Sequence, residues 1–258
     1  MKADKLVIGG KEFKSRLMVG TGKYDTMEQM AAAIVASGTE MVTVAVRRMN
    51  LQNPTEKSLI EYLDLKKITL LPNTAGATTV EEAVRLARLG RAAGLSDYIK
   101  VEVFGELESL LPDPIATIET TRILAQEGFI VLPYTTDDPI IAKMLVEAGA
   151  AAVMPGASPI GSGQGFIDFT KIRMIIDRVD VPVVVDSGIG SPADAALAME
   201  IGADAVLVNT AIARAKDPAL MATAMRMGVE AGALCFNAGR IPKTAYASPS
   251  SPMIGLLK

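Results

Sequence analysis

The 258-residue chain is predicted to fold as one (β/α)8 barrel of the α/β class, on three observations. Eight short apolar runs with strand character alternate with amphipathic helical patterns along the whole sequence. The helices share one start device and one stop device. No linker-like change of composition divides the chain, and its length fits a single barrel. An open doubly wound sheet is the alternative, weakened because no Gly-x-Gly-x-x-Gly opens the first helix after a strand.

Taken in order, the chain begins with a hairpin over LVIGGKEF, residues 6–13. The strand runs are residues 17–20, 41–46, 68–72, 98–104, 129–133, 151–155, 181–185 and 205–208. Helices between them start at Asn53-Pro54, Asp113-Pro114, Asp138-Pro139, Ser191-Pro192 and Asp217-Pro218, each pairing an N-cap side chain with a proline at the first helical position, where no N–H is needed. Thr79 and Glu82 have the spacing of a capping box. Gly38, Gly94, Gly128, Gly149 and Gly202 fall where helices end and the backbone turns left-handed. The barrel is expected over residues 1–236, and the Ser/Pro/Ala/Gly-rich residues 237–258 form a flexible tail, read as a mobile terminus or as a lid or docking segment at the barrel mouth.

Composition removes several function classes. With a net charge of −3 and 4% aromatic residues, the chain has neither a basic footprint nor a stacking platform for nucleic acid. No apolar run reaches the ~18 residues of a membrane span and no signal-peptide core opens the chain, so a soluble cytoplasmic protein is expected. There is no histidine and one cysteine, which excludes His-based triads and the usual zinc sets. Cys235 is read as a small buried hydrophobe. Acid–base work falls to Asp, Glu, Lys, Tyr or Cys.

The fourth strand, YIKVEVF, is anomalous. Alternation puts Ile99, Val101 and Val103 on one face and Lys100 and Glu102 on the other. If the valines face the helices, Lys100 and Glu102 enter the barrel. There they form either an inward salt bridge that fills space or a reactive pair, the lysine made nucleophilic by burial that lowers its pKa. Asp186 ends the seventh run, and Gly188 and Gly190 lead into the next helix. Asn209-Thr210 ends the eighth. Loops after strands seven and eight are the usual phosphate cradle of barrel enzymes, although a tight turn uses the same residue types. The loop PGASPIGSGQGF carries Gly156, Gly161, Gly163 and Gly165, for close approach to a ligand, a closing flap or flexible padding. Arg47, Arg48 and Asn50 follow the second strand, as an anion site or a solvated loop.

These segments together resemble the bacterial thiazole synthase family of thiamin biosynthesis. The blocks VTVAVRRMN, LLPNTAG, YIKVEV, PGASPIGSGQG, VVDSGIG and VLVNTAIA match it in order, end to end. Ser187 stands where the family's alanine is expected. The resemblance implies a (β/α)8 barrel that makes thiazole phosphate from 1-deoxy-D-xylulose 5-phosphate, dehydroglycine and the C-terminal thiocarboxylate of a ubiquitin-like (ThiS-type) sulfur carrier protein. It implies a Schiff base at Lys100 and acid–base roles for Glu102 and Asp186. It also implies sugar-phosphate binding by Gly161, Ser187, Gly188, Asn209 and Thr210. It calls for no cofactor and no metal. Its further partners are the enzyme that supplies the glycine imine and identical chains, in a tetramer.

Overall fold

A computed structural model describes residues 5–48 and 59–251. The opening hairpin is β1 (Leu6–Ile8) and β2 (Lys11–Phe13), paired antiparallel. The barrel strands are β3 (Leu17–Gly20), β4 (Met41–Ala45), β5 (Thr69–Asn73), β6 (Tyr98–Val101), β7 (Ile130–Thr135), β8 (Met154–Pro155), β9 (Val184–Val185) and β10 (Ala205–Val208). They run parallel in the order β8-β7-β6-β5-β4-β3-β10-β9. Parallel bridges Val153 to Val183 and Gly156 to Asp186 join β8 to β9, so the sheet closes on itself and exposes no edge. This is the (β/α)8 barrel that alternation predicts.

Several strands are shorter than their apolar runs. β6 stops at Val101, and Val103 keeps only an isolated bridge to Ala77. The run is apolar because both of its faces are buried, which is a statement about packing and not about ladder bonds.

The outer helices are α1 (Met27–Ser37), α2 (Val80–Ala92), α3 (Pro114–Gln126), α4 (Pro139–Glu147), α5 (Thr170–Ile176), α6 (Pro192–Glu200), α7 (Thr210–Ala213) and α8 (Pro218–Ala238). Asp113, Asp138, Ser191 and Asp217 each accept a hydrogen bond from a first-turn N–H. The five expected terminal glycines all have positive φ. Thr79 caps α2, but the Glu82 carboxylate accepts from the Thr78 N–H and not from that of Thr79; the reciprocal box closes at Ser191 and Asp194 instead. After β4 come two 3-10 turns, Val46–Arg48 and Leu59–Tyr62. The expected helix start at Asn53-Pro54 lies outside the described residues, as do Asn50 and the side chain of Arg48.

The hairpin plugs the N-terminal end of the barrel. Leu6, Ile8 and Phe13 pack with Met18, Met41, Leu71 and Tyr98, and the Tyr98 hydroxyl donates to the Ile8 carbonyl at 2.8 Å. The strand that carries Lys100 is thus anchored at its base.

α8 is long and apolar enough to cross a membrane by length and composition, but it buries Ala222, Met225, Val229 and Gly232 in its packing on α1 and α6, as an outer barrel helix does. Cys235 is half-buried on it, more accessible than a core hydrophobe, because it lies beyond that packed stretch. α8 ends beside Lys14, Ser15 and Arg16, at the face opposite the mouth, and Arg240 pairs with Glu200 there. Residues 239–251 are exposed throughout. α8 therefore ends far from the mouth, because a helix of 21 residues carries the chain the full height of the barrel.

Candidate active site

Lys100 and Glu102 point into the barrel because Ile99, Val101 and Val103 are committed to the core against Ala83, Leu86 and Leu124 of α2 and α3. Asp186 arrives from the end of β9. The three charged groups are 5%, 6% and 4% exposed. Lys100 Nζ lies 3.1 Å from Glu102 Oε1 and forms an ion pair with Asp186 Oδ2. Asp186 Oδ1 accepts the Ser187 N–H at 2.7 Å.

The charge state differs from the one expected on burial alone. Burial pulls the Lys100 amine down, but Asp186 and Glu102 outweigh it and hold the amine above its usual value. Glu102 is pushed up, first by burial and further by Asp186, against the pull of Lys100. One cation thus faces two carboxylates in a dry interior. Lys100 rests as an ammonium, and Glu102 has a raised proton affinity.

Two residues missed in the sequence complete this cluster. Thr74 is fully buried; its hydroxyl accepts the Glu102 N–H and donates to the Glu102 carbonyl, both at 2.8 Å. The β5–β6 ladder ends at Asn73 and Lys100, and this side chain continues it by one residue to fix Glu102. Tyr134 on β7 is buried, its ring centroid 5.7 Å from Lys100 Nζ. Burial first, with Asp186 adding, pushes its phenol up to about 12, while its hydroxyl faces Ser187. The sequence signals were a threonine two residues past one apolar run and a tyrosine directly after another.

The glycine-rich loops interlock. A Cβ on Gly188 would lie 2.6 Å from the Ser158 N, and one on Gly190 would lie 2.3 Å from the Gly163 carbonyl oxygen. The Gly165 N–H donates to the Gly188 carbonyl at 2.8 Å. The loop after β8 is therefore packed backbone to backbone on the loop after β9, which flexible padding would not be. Ser187 has φ +53°, an unusual left-handed serine, and its hydroxyl donates to the Ser158 carbonyl at 2.8 Å.

A Cβ on Gly161 would meet Lys23 Nζ at 3.2 Å and Thr210 Oγ1 at 3.5 Å. An ammonium, a hydroxyl and a bare backbone thus converge on one point. Lys23, itself at φ +70°, was not singled out in the sequence and has no ion pair with any described residue. The Asn209 side-chain amide lies against the Gly20 and Gly22 carbonyls, and with its nitrogen turned toward them it donates to both, at 3.2 and 2.9 Å, which ties the Lys23 loop to β10.

One cavity of about 910 Å³ takes in Lys100, Glu102, Asp186, Gly161, Ser187, Gly188, Asn209 and Thr210, together with Lys23 and Arg214. It lies at the C-terminal ends of the strands, where barrel enzymes keep their chemistry. Arg47 is apart from it, paired with Glu82 at 3.7 Å.

The cavity is centred on a buried lysine paired with two carboxylates, and comparison with known proteins identifies the family of the chain. The model of the family "Thiazole biosynthesis protein ThiG" matches residues 7–252. The chain is 59% identical over 251 residues to a thiazole synthase of Geobacillus sp. (strain WCH70), covering 97% of this chain and 98% of that one. It is 56% identical over 251 residues to the thiazole synthase of Bacillus subtilis (strain 168), with the same coverage. A chain in the crystal structure of the Amycolatopsis orientalis BexX/CysO complex is 37% identical, with a TM-score of 0.83, over 93% of this chain and 98% of that one. The native KDPGal structure, 17% identical with a TM-score of 0.60 over 87% of this chain and 98% of that one, is similar in fold alone. On sequence and architecture together, the chain belongs to the ThiG family of thiazole synthases.

Proposed function

We propose that this thiazole synthase works through an imine between Lys100 and the ketone of 1-deoxy-D-xylulose 5-phosphate. The observation that carries the reading is a buried lysine flanked by two carboxylates at the mouth of the barrel. Because Lys100 rests charged, its amine must first lose a proton, and Glu102, 3.1 Å away with raised proton affinity, is the acceptor. The free amine adds to the ketone carbon, and the ketone oxygen leaves as water when Glu102 returns the proton. The iminium then acidifies the neighbouring carbon. A carboxylate moves that proton so that carbonyl character passes along the sugar, and Asp186 flanks the same nitrogen. The thiocarboxylate sulfur of the carrier attacks the new carbonyl carbon; the carrier's acyl group passes from sulfur to the displaced oxygen and leaves with it as the carrier carboxylate, so the sulfur stays on the sugar. The dehydroglycine nitrogen displaces Lys100 from the imine carbon, the sulfur closes the ring on the dehydroglycine carbon, and the C4 hydroxyl leaves as the second water.

The phosphate is read as sitting on the backbone of Gly161, Ser187-Gly188 and Asn209-Thr210, with Lys23 as its cation. Its two negative charges need one, since Lys100 is committed to the carboxylates. The sulfur comes from a small ubiquitin-like carrier protein whose C-terminal tail enters at the mouth. That a relative of this fold was solved in a complex supports a protein partner. The test is formation of thiazole phosphate from the pentulose phosphate, dehydroglycine and carrier thiocarboxylate. Wild type is expected to turn over and Lys100→Ala to be inactive. Turnover by Lys100→Ala would refute the imine, and an adduct at Lys100 without sulfur transfer would favour an aldolase-type reaction.

A further inference from the structure

Between the lysine and the phosphate cradle lies a polar pair that the reaction has not used. In sheet order, the strands from β6 to β10 are β5, β4 and β3. Asn73 ends β5 and is the register partner of Lys100. Thr43 lies on β4 in register with Gly20, at the start of the loop that carries Lys23. Both side chains line the cavity, and they are only 8% and 7% exposed.

Asn73 Nδ2 donates to Thr43 Oγ1 at 3.0 Å, and Asn73 Oδ1 accepts the Ala75 N–H at 3.3 Å. An amide side chain has two N–H donors and an oxygen with two lone pairs, and a hydroxyl has one donor and two. No described residue takes the second Nδ2 hydrogen, the second Oδ1 lone pair or the Thr43 hydroxyl hydrogen. Each group already has one partner, and the remaining capacity faces the cavity, where only a group inside it can use that capacity. The pair offers donor and acceptor together, which is what one alcohol group requires.

We propose that Asn73 and Thr43 recognise a hydroxyl on the sugar chain between the carbon bound at Lys100 and the phosphate. This rests on the imine reading above. The C4 hydroxyl is the one assigned, because it lies between the two anchors and keeps its oxygen while the carbonyl migrates. A substrate without it leaves the second amide hydrogen and the threonine hydroxyl hydrogen without a partner, a loss that nearly buried polar groups convert into discrimination.

The test pairs a protein change with a ligand change. Binding of 1-deoxy-D-xylulose 5-phosphate and of its analogue lacking the C4 hydroxyl is measured by calorimetry, together with borohydride trapping at Lys100, for wild type, Thr43→Ser and Thr43→Val. Wild type and Thr43→Ser are expected to prefer the parent compound by about tenfold or more. Thr43→Val is expected to lose most of that preference, weakening the parent and leaving the analogue almost unchanged. Equal weakening of both ligands, or a wild type that binds both alike, would overturn the proposal and reduce the pair to a tie between strands. Should Thr43→Val not fold, Asn73→Ser takes its place in the same cycle. Absence of a Lys100 adduct would overturn the imine reading alone, because the calorimetric preference is measured independently of it.

Discussion

Lys100 is useful only because of what surrounds it. Alternation in YIKVEVF was enough to turn it and Glu102 inward, and the position of Asp186 at a strand end placed a carboxylate on the same rim. The charge state was not legible, since it depends on Asp186 reaching Lys100 from across the barrel, a contact that local sequence does not encode. The pH dependence of stability follows from the triad. Replacing Lys100 by Met leaves Glu102 and Asp186 as buried like charges, so the Glu102 carboxyl, already raised by burial and by Asp186, loses the opposing pull of Lys100 and rises further. Such a group favours the folded state in acid and loses that contribution as pH rises from the unfolded value, about 4, through the folded one. Relative to wild type, Lys100→Met is therefore expected to be least destabilised near pH 4 and to lose about 3–5 kcal/mol above neutrality, in denaturant melts run across pH. A deficit independent of pH would mean that the carboxylates are not coupled to the lysine.

Among the elements, caps and terminal glycines were readable because they are local: an Asp-Pro pair or a glycine acts on its own turn. Helix pairing was not. α8 approaches α6 so closely that a Cβ on Gly228 would lie 2.4 Å from the Pro192 carbonyl oxygen, and one on Gly232 2.2 Å from that of Ala196. These glycines serve no turn; they admit a neighbouring backbone. Gly232→Ala gains about 1 kcal/mol of helix propensity, yet overpacking against a carbonyl costs about 1–3 kcal/mol. A lowered midpoint in thermal unfolding is expected. An unchanged or raised midpoint would show that the two helices can separate without penalty. Strand lengths were overestimated for a related reason, because apolar runs report burial whereas ladder ends are set by partners such as Thr74.

At the scale of the whole molecule, closure of the sheet brings the connections after seven strands into one cavity, and the proposed route of a carrier tail to Lys100 is through its mouth. Arg47 and Arg48 follow β4 on that rim, with Arg47 lightly held by Glu82 at 3.7 Å. If the carrier docks on this rim, reversal of both to Glu is expected to raise its KM while leaving imine formation intact, since Arg47 does not line the cavity that holds Lys100. Unchanged carrier kinetics would remove this rim from the docking surface. The barrel and the glycine-rich loops after its later strands were visible from periodicity and spacing. Lys23 was not, because its role depends on a left-handed backbone and on Asn209 holding its loop from a distant strand.

The most direct test is to incubate the protein with 1-deoxy-D-xylulose 5-phosphate alone, reduce with borohydride and map the modified peptide by mass spectrometry. One sugar-phosphate adduct on Lys100 is expected, with trapping that increases with pH as the amine is freed from its two carboxylates. An adduct on Lys23 or another lysine, or no adduct at all, would contradict the assignment of Lys100 as the nucleophile.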